Sequence, residues 1–319
     1  MLGMTIGLTL SPTPAKNAVD HYVEVAAMAA DAGVGAIWIS QFFEVDALSI
    51  AALVGHAVPG VAVGTAVVPI YPRHPLVVAS QALTAQAASH GRFQLGMGLG
   101  SPPLVQRAFG SEVARPSRHA REYLTALRSA LATGRVDLHG ETLTAVAPMP
   151  VVVPGADTPP PILFASVGEQ SLRLAGELAD GTFPYLAGPA TLAESIVPTI
   201  SAAAASAGRP APRIVMVVPA VVTSDVEGVR DRAAAHMAFY DDVPAARLSM
   251  RREGVAHAHE LAAIGDEETV AAAIERYVEA GATEVSIAYT DIGTPEEQAR
   301  TIALIGRLNR SRAGGLVTA

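Results

Sequence analysis

What the 319-residue sequence lacks narrows its chemistry before any motif is considered. Cysteine is absent, which removes disulfides, thiolate metal sites and a thiol nucleophile. Lys16 is the only lysine, and its polar surroundings suit a solvated side chain better than a Schiff-base amine. Charged residues make up only 16% and the net charge is −8. With no basic run either, a nucleic-acid partner is not expected. Mean hydropathy is +0.34, but alanine contributes much of it, and no apolar run reaches the length of a membrane span. The opening "MLGMTIGLTL" lacks a basic segment and reads as a first strand rather than a signal peptide. There is no Walker sequence and no G-x-S-x-G elbow, so a P-loop nucleotide site and a serine hydrolase are unsupported.

Half of the residues are hydrophobic, which fits a globular chain long enough to bury a sizeable core. Short apolar strands alternate with longer helical patterns. Strand candidates lie at 5–10, 36–40, 61–68, 93–98, 162–165, 181–185, 214–222 and 284–289. Between the first two, Val19, Tyr22, Val23 and Ala26 repeat at helical spacing and Gly33 marks a stop. Asp266 is placed to cap a helix carrying Val270, Ile274, Tyr277 and Val278, and Gly281 ends it. Thr294, Pro295 and Glu297 have capping-box spacing. Eight such alternations predict an α/β fold of the (β/α)8 TIM-barrel type, in one domain over 1–319. A two-domain dinucleotide-binding protein is the competing architecture. Residues 137–161 and 243–265 interrupt the alternation as a hairpin or loop and as a helical insertion. Insertions in a barrel are expected at the C-terminal face, where function is built.

Four short stretches bear on chemistry. "GTAVVPIYPRHPLVVA" (64–79) runs a β-branched strand into two prolines around Arg73 and His74. "LGMGLGS" has G-x-G-x-G rather than dinucleotide spacing and suits a strand end approached closely by a ligand or another backbone. "ISQFFE" closes the second strand with Gln41, Phe42, Phe43 and Glu44, which either pack in the core or floor a pocket. His257 and His259 in "AHAHE" have a two-residue spacing that metal sites use, but in helical surroundings they point to different faces. They read as surface histidines, and no metal site is expected.

In chain order these pieces resemble the luciferase-like monooxygenase superfamily, and within it the oxidoreductases that use the deazaflavin coenzyme F420. The likeness is carried by "GTAVVPIYPRHPLVVASQALTAQAASHGRFQLGMGLGS", "RPSRHAREYL", "FASVGEQSLRLAGELADGTFPY" and "IGDEETVAAAIERYVEAGATEVSI", and the resemblance extends over most of the chain. It implies a luciferase-like barrel whose third strand ends in a bulge with a non-prolyl cis peptide, here Ala66–Val67. That bulge would press on the central ring of the coenzyme, beside Gln41, Val68, Gly98 and Gly100. The resemblance places the coenzyme phosphate at Val167, Gly168, Gln170 and Ser171, before a helix whose N-terminus favours an anion. Arg73, Arg107 and Arg121 are candidate partners of an anionic tail.

Three departures from the pattern matter. Glu169 stands where many relatives have proline. Gln41-Phe42 and Ser101 replace the Asp-His and Glu with which the family's sugar-phosphate dehydrogenases oxidise a hydroxyl. Gly100-Ser101 replaces the Ser-His frequent in reductase relatives. Gln41, Ser101 and His119 are left as candidates to polarise an acceptor. The resemblance implies a cytoplasmic homodimer acting on a small organic substrate, with a separate reductase supplying the reduced cofactor. The alternatives are an FMN-dependent monooxygenase using molecular oxygen and a flavin- or deazaflavin-binding protein without turnover.

Overall fold

A computed structural model describes residues 5–12, 14–290 and 292–315. Its eight barrel strands are β1 (Ile6–Leu10), β2 (Ala36–Ile39), β3 (Ala62–Thr65, resuming at Val68–Pro69), β4 (Phe93–Gly98), β5 (Ile162–Ala165), β6 (Gly181–Thr182), β7 (Arg213–Val222) and β8 (Glu284–Tyr289). All pairings among them are parallel; β8 returns to β1, and the short β6 joins β5 to β7, so the barrel closes. Apolar runs buried on both faces are what such a sheet requires, since helices cover its outside.

The covering helices are α1 (Ala18–Ala32), α2 (Ala47–Ala57), α3 (Pro75–Ala88), α4 (Pro116–Thr133), α5 (Glu169–Leu178), α6 (Val197–Ser206), α7 (Glu267–Glu279) and α8 (Pro295–Gly315). Local chemistry sets their ends. Asn17, Asp46 and Asp266 accept from first-turn N–H groups, Thr294 and Glu297 form the reciprocal capping box, and Gly33 ends α1 in the left-handed conformation. The buried stripe of α1 is Tyr22, Val25, Ala26 and Ala29, while Val19 is exposed. Small alanines let that face lie close to the barrel, so the stripe differs from the one that bulk hydrophobicity suggests. Inside the barrel, Trp38 meets Phe183 with ring centroids 4.7 Å apart, among Leu163, Val215 and Val217. The single tryptophan thereby plugs the interior below the C-terminal mouth.

The 137–161 segment connects α4 to β5, so it leaves from the end opposite the mouth. Its hairpin (Asp137–His139 with Thr144–Val146) then climbs back along α4. The turn reaches the mouth-side ends of α3 and α4: His74 Nε2 lies 2.9 Å from the Thr144 carbonyl, and Arg115 pairs with Glu141. Glu122, on α4, fastens it by accepting from the Glu141 and Thr142 N–H groups and the Thr142 hydroxyl. Although burial opposes its charge, these donors and Arg118 hold the Glu122 carboxyl below its ordinary value of 4.5. Its contribution to stability is therefore complete above that value and is lost as pH falls through the lowered folded value. Glu122→Ala should cost about 2 kcal/mol at neutral pH, because three donors lose their acceptor. Urea melts at pH 7 and pH 3 test this: the difference between variant and parent should shrink at the lower pH.

The second insertion is wider than 243–265. Between β7 and α7 stand helices Val226–Met237 and Pro244–Glu253, joined by a 3-10 turn at Ala238–Asp242 and followed by another at Ala258–Leu261. A further strand, Ala263–Gly265, extends the sheet beyond β7. His257 belongs to this framework: it contacts Asp241 at 2.8 Å and caps the last turn with Glu260, which explains the "AHAHE" spacing structurally. Glu253 accepts from the Ala190 and Thr191 N–H groups, anchoring the insertion to the segment that leads into α6. No helix among the described residues is long and apolar enough to cross a membrane.

Candidate active site

The irregular end of β3 builds one wall of the mouth. Gly64 pairs with Gln94 and Val68 with Met97, so three residues of β3 oppose two of β4. The extra residue makes a bulge. Thr65 fixes it from both directions, donating to the Gly96 carbonyl at 2.8 Å and accepting from the Gly96 N–H at 3.0 Å. The Ala66–Val67 peptide is cis, and both residues face the mouth cavity. The glycines of "LGMGLGS" serve this contact. A Cβ on Gly96 would stand 1.8 Å from the Thr65 carbonyl oxygen, one on Gly98 would press Val67 at 3.1 Å, and Gly100 has φ +75°.

The cavity over this wall has a volume of about 640 Å3, within the range of small-molecule sites. Phe183, Val217 and Ala288 give it an apolar floor, and Thr9, Ser40 and Gln41 line its near side. From the second insertion come His236, Phe239 and Tyr240. Past Gly100 and Ala165 the cavity continues into a groove of about 1030 Å3, walled by Ser101, Leu104, Val167, Gly168 and Ser171. Arg107 lines that groove without an ion-pair partner among the described residues. The α5 N-terminus opens there with no side-chain cap, and Ser171 donates its hydroxyl to the Gly168 carbonyl. An uncapped helix start beside a free guanidinium is suited to an anion. Glu169 does not intrude, being exposed and paired with Arg173 at 2.7 Å.

The structure brings Gln41, Ala66, Val67 and Gly100 to the cavity, and Ser101, Val167, Gly168 and Ser171 to the groove. Other expected residues stand elsewhere. Val68 is fully buried in the core, and Gly98 lies beneath Val67. Gln170 contacts Ser117 at 3.2 Å and lines neither space. His119 is also away from both, stacked on Tyr71 at 4.7 Å with Nδ1 3.2 Å from the Thr142 hydroxyl. Burial pushes its imidazole down from the usual value. The Gln41 amide is occupied as a brace: its nitrogen donates to the Phe42 and Val45 carbonyls and its oxygen accepts from the Ala47 N–H. Arg73 pairs with Asp46 and Arg121 with Glu177, leaving Arg107 as the basic residue facing the groove. Phe42 lines the cavity edge, and exposed Phe43 meets Phe109 at 5.9 Å, so these aromatics make a rim instead of a floor.

Sequence reasoning passed over Tyr185, His236, Phe239 and Tyr240. Tyr185 was findable, because it follows Phe183 at strand spacing and both face inward. His236 and Tyr240 are four apart, which gives one helical face, but nothing in the sequence says that this face looks into the barrel. Tyr185 and Tyr240 pack edge to face at 5.3 Å. Burial raises both phenols above their ordinary value, so both are protonated at neutral pH.

Comparison with known proteins agrees with the barrel fold. A Mycobacterium tuberculosis protein, which its name alone assigns to the coenzyme F420-dependent oxidoreductases, is 31% identical over 200 residues. That match spans 59% of this chain and 57% of the relative, less than two thirds of its length. The F420-dependent tetrahydromethanopterin reductase of Methanopyrus kandleri superposes with a TM-score of 0.80 at 21% identity, covering 96% of this chain and 98% of the other. An FMN-bound Baeyer–Villiger monooxygenase of Pseudomonas putida does so with a TM-score of 0.78 at 17% identity, covering 96% and 98%. At such identities the likeness is one of fold. The family model for luciferase-like monooxygenases matches residues 3–284, and the chain accordingly belongs to that family.

Proposed function

We propose that the protein is a coenzyme F420-dependent oxidoreductase that moves hydride between the deazaflavin and a small organic substrate. The observation that carries the reading is the continuity of the cavity with the groove, from the Ala66–Val67 wall to Arg107 and the uncapped start of α5. A flat ring with a long anionic tail fits that path. Ala66 and Val67 would back the ring, Gly100 and Ala165 would let it pass, and Gly168, Ser171 and Arg107 would meet the tail. Bound in its reduced form, the coenzyme supplies the hydride. The chain orients both reactants, keeps water out of the apolar floor and offers a hydrogen bond to the acceptor. One domain over 1–319, a homodimer, a cytoplasmic setting and a separate reductase complete the proposal.

Fluorescence titration of the purified protein with F420 and with FMN tests it. F420 should bind at least about tenfold tighter, a difference of about 1.4 kcal/mol. Tighter FMN binding, with product formation that requires oxygen, would establish the monooxygenase reading, which the FMN-bound structural neighbour keeps open. Binding of neither compound would remove both readings.

A further inference from the structure

Strands β3 and β7 are four steps apart in either direction around the eight-stranded barrel, so their C-terminal ends face each other across the mouth. The Ala66–Val67 wall follows β3, and the run carrying His236, Phe239 and Tyr240 follows β7. A planar ring seated on the wall turns its free face toward that run. Whatever reacts with the ring must lie between the two.

On this far side the chain places an aromatic corner. Phe239 and Tyr240 contact each other at 5.6 Å, Tyr240 meets Tyr185 edge-on at 5.3 Å, and Phe239 is 67% exposed at the mouth. Tyr240 lines the cavity beside Tyr185, and as a protonated phenol it has a proton to donate there. Charge narrows the partner further. Among the described residues lining the cavity no lysine or arginine stands ready for an anionic group, and Glu44 contributes a carboxylate. A carboxylate or phosphate substrate would be repelled there; an uncharged one with an acceptor oxygen and a flat apolar body would be held.

We propose that Tyr240, positioned by Tyr185, is the hydrogen-bond donor that binds and polarises the carbonyl oxygen of a planar, conjugated, uncharged substrate lying between the Ala66–Val67 wall and the Phe239–Tyr240 corner. The proposal rests on the reading of the wall as the ring's seat, but it can be tested on the protein without cofactor. The probe is 4-dimethylaminocinnamaldehyde, a flat neutral enal whose absorption band moves to the red when its carbonyl oxygen accepts a hydrogen bond. The parent protein should bind it with a red-shifted band. Tyr240→Phe should lose the shift while binding about three- to tenfold more weakly, the effect of one neutral hydrogen bond. Tyr185→Leu should keep a smaller shift, since the edge-to-face contact that positions Tyr240 is lost but the donor remains. Absence of binding to the parent protein overturns the substrate class. Binding without a red shift, or a full shift retained in Tyr240→Phe, overturns the donor. Because F420 and FMN are absent from this measurement, its failure is separate from failure of the cofactor titration.

Discussion

Gly96→Ala should destabilise the protein by about 3 kcal/mol or more, a large share of the roughly 5–15 kcal/mol that holds a typical domain folded. The added Cβ would lie 1.8 Å from the Thr65 carbonyl oxygen, which is backbone and cannot swing aside as a side chain would. Relief requires β3 and β4 to separate, and separation breaks the paired Thr65–Gly96 hydrogen bonds that fix the bulge. Gly110→Ala supplies the comparison. Gly110 has φ +65° and no heavy atom within 4 Å of the point where a methyl would stand, so that variant bears only the conformational cost, about 1 kcal/mol. Urea midpoints measured for both variants separate the two causes. Equal, mild losses would mean that the close approach of the strands at Gly96 is not present in solution.

The same contact shows which parts of the molecule were legible in the sequence. The strands were, because a parallel barrel buries them on both faces and leaves each as a short apolar run between turns. Only β6 is much shorter than its run suggests: Pro184 has no N–H to give the ladder, so regular pairing ends at Thr182. The wall at Ala66–Val67 and the turn at Gly168 were legible only through the family resemblance, because the residues of 64–79 by themselves suit an ordinary strand end equally well. The far side of the cavity was not. His236 and Tyr240 lie in a polar helical run whose own spacing fits a solvated insertion, and only closure of the barrel turns that face toward β3. His119 illustrates the converse. Its place in the "RPSRHAREYL" motif suggested the site, yet its face of α4 is taken up by Tyr71 and the hairpin turn, partners distant in sequence. Helix Val226–Met237 lies before the 243–265 segment expected as the insertion. It nonetheless belongs to the insertion over the mouth, tied to the β8–α8 connection by Arg232, which donates to the Ile292 carbonyl and pairs with Glu297.

Ala66→Phe should abolish cofactor binding and leave the fold nearly untouched. Ala66 lines the cavity, so a ring added there enters open space above the wall instead of the packed interior. Its backbone N–H remains bonded to the Ile39 carbonyl at 2.8 Å, and Thr65 still clamps the bulge to Gly96. The stability change should therefore stay within about 1 kcal/mol, as for substitutions that neither open a cavity nor overpack a core. For a flat ligand the consequence is severe. The new ring occupies the surface on which it would lie, and the floor at Phe183 and Val217 leaves no deeper position to move to. A loss of at least about a hundredfold in F420 affinity is expected, roughly 2.8 kcal/mol. Paired measurements decide the matter, a fluorescence titration and a urea melt on the same preparation. Weakened binding with an unchanged melt assigns the wall to the cofactor. Equal losses in both would make Ala66 a packing residue, and unchanged binding would move the cofactor away from the β3 bulge altogether.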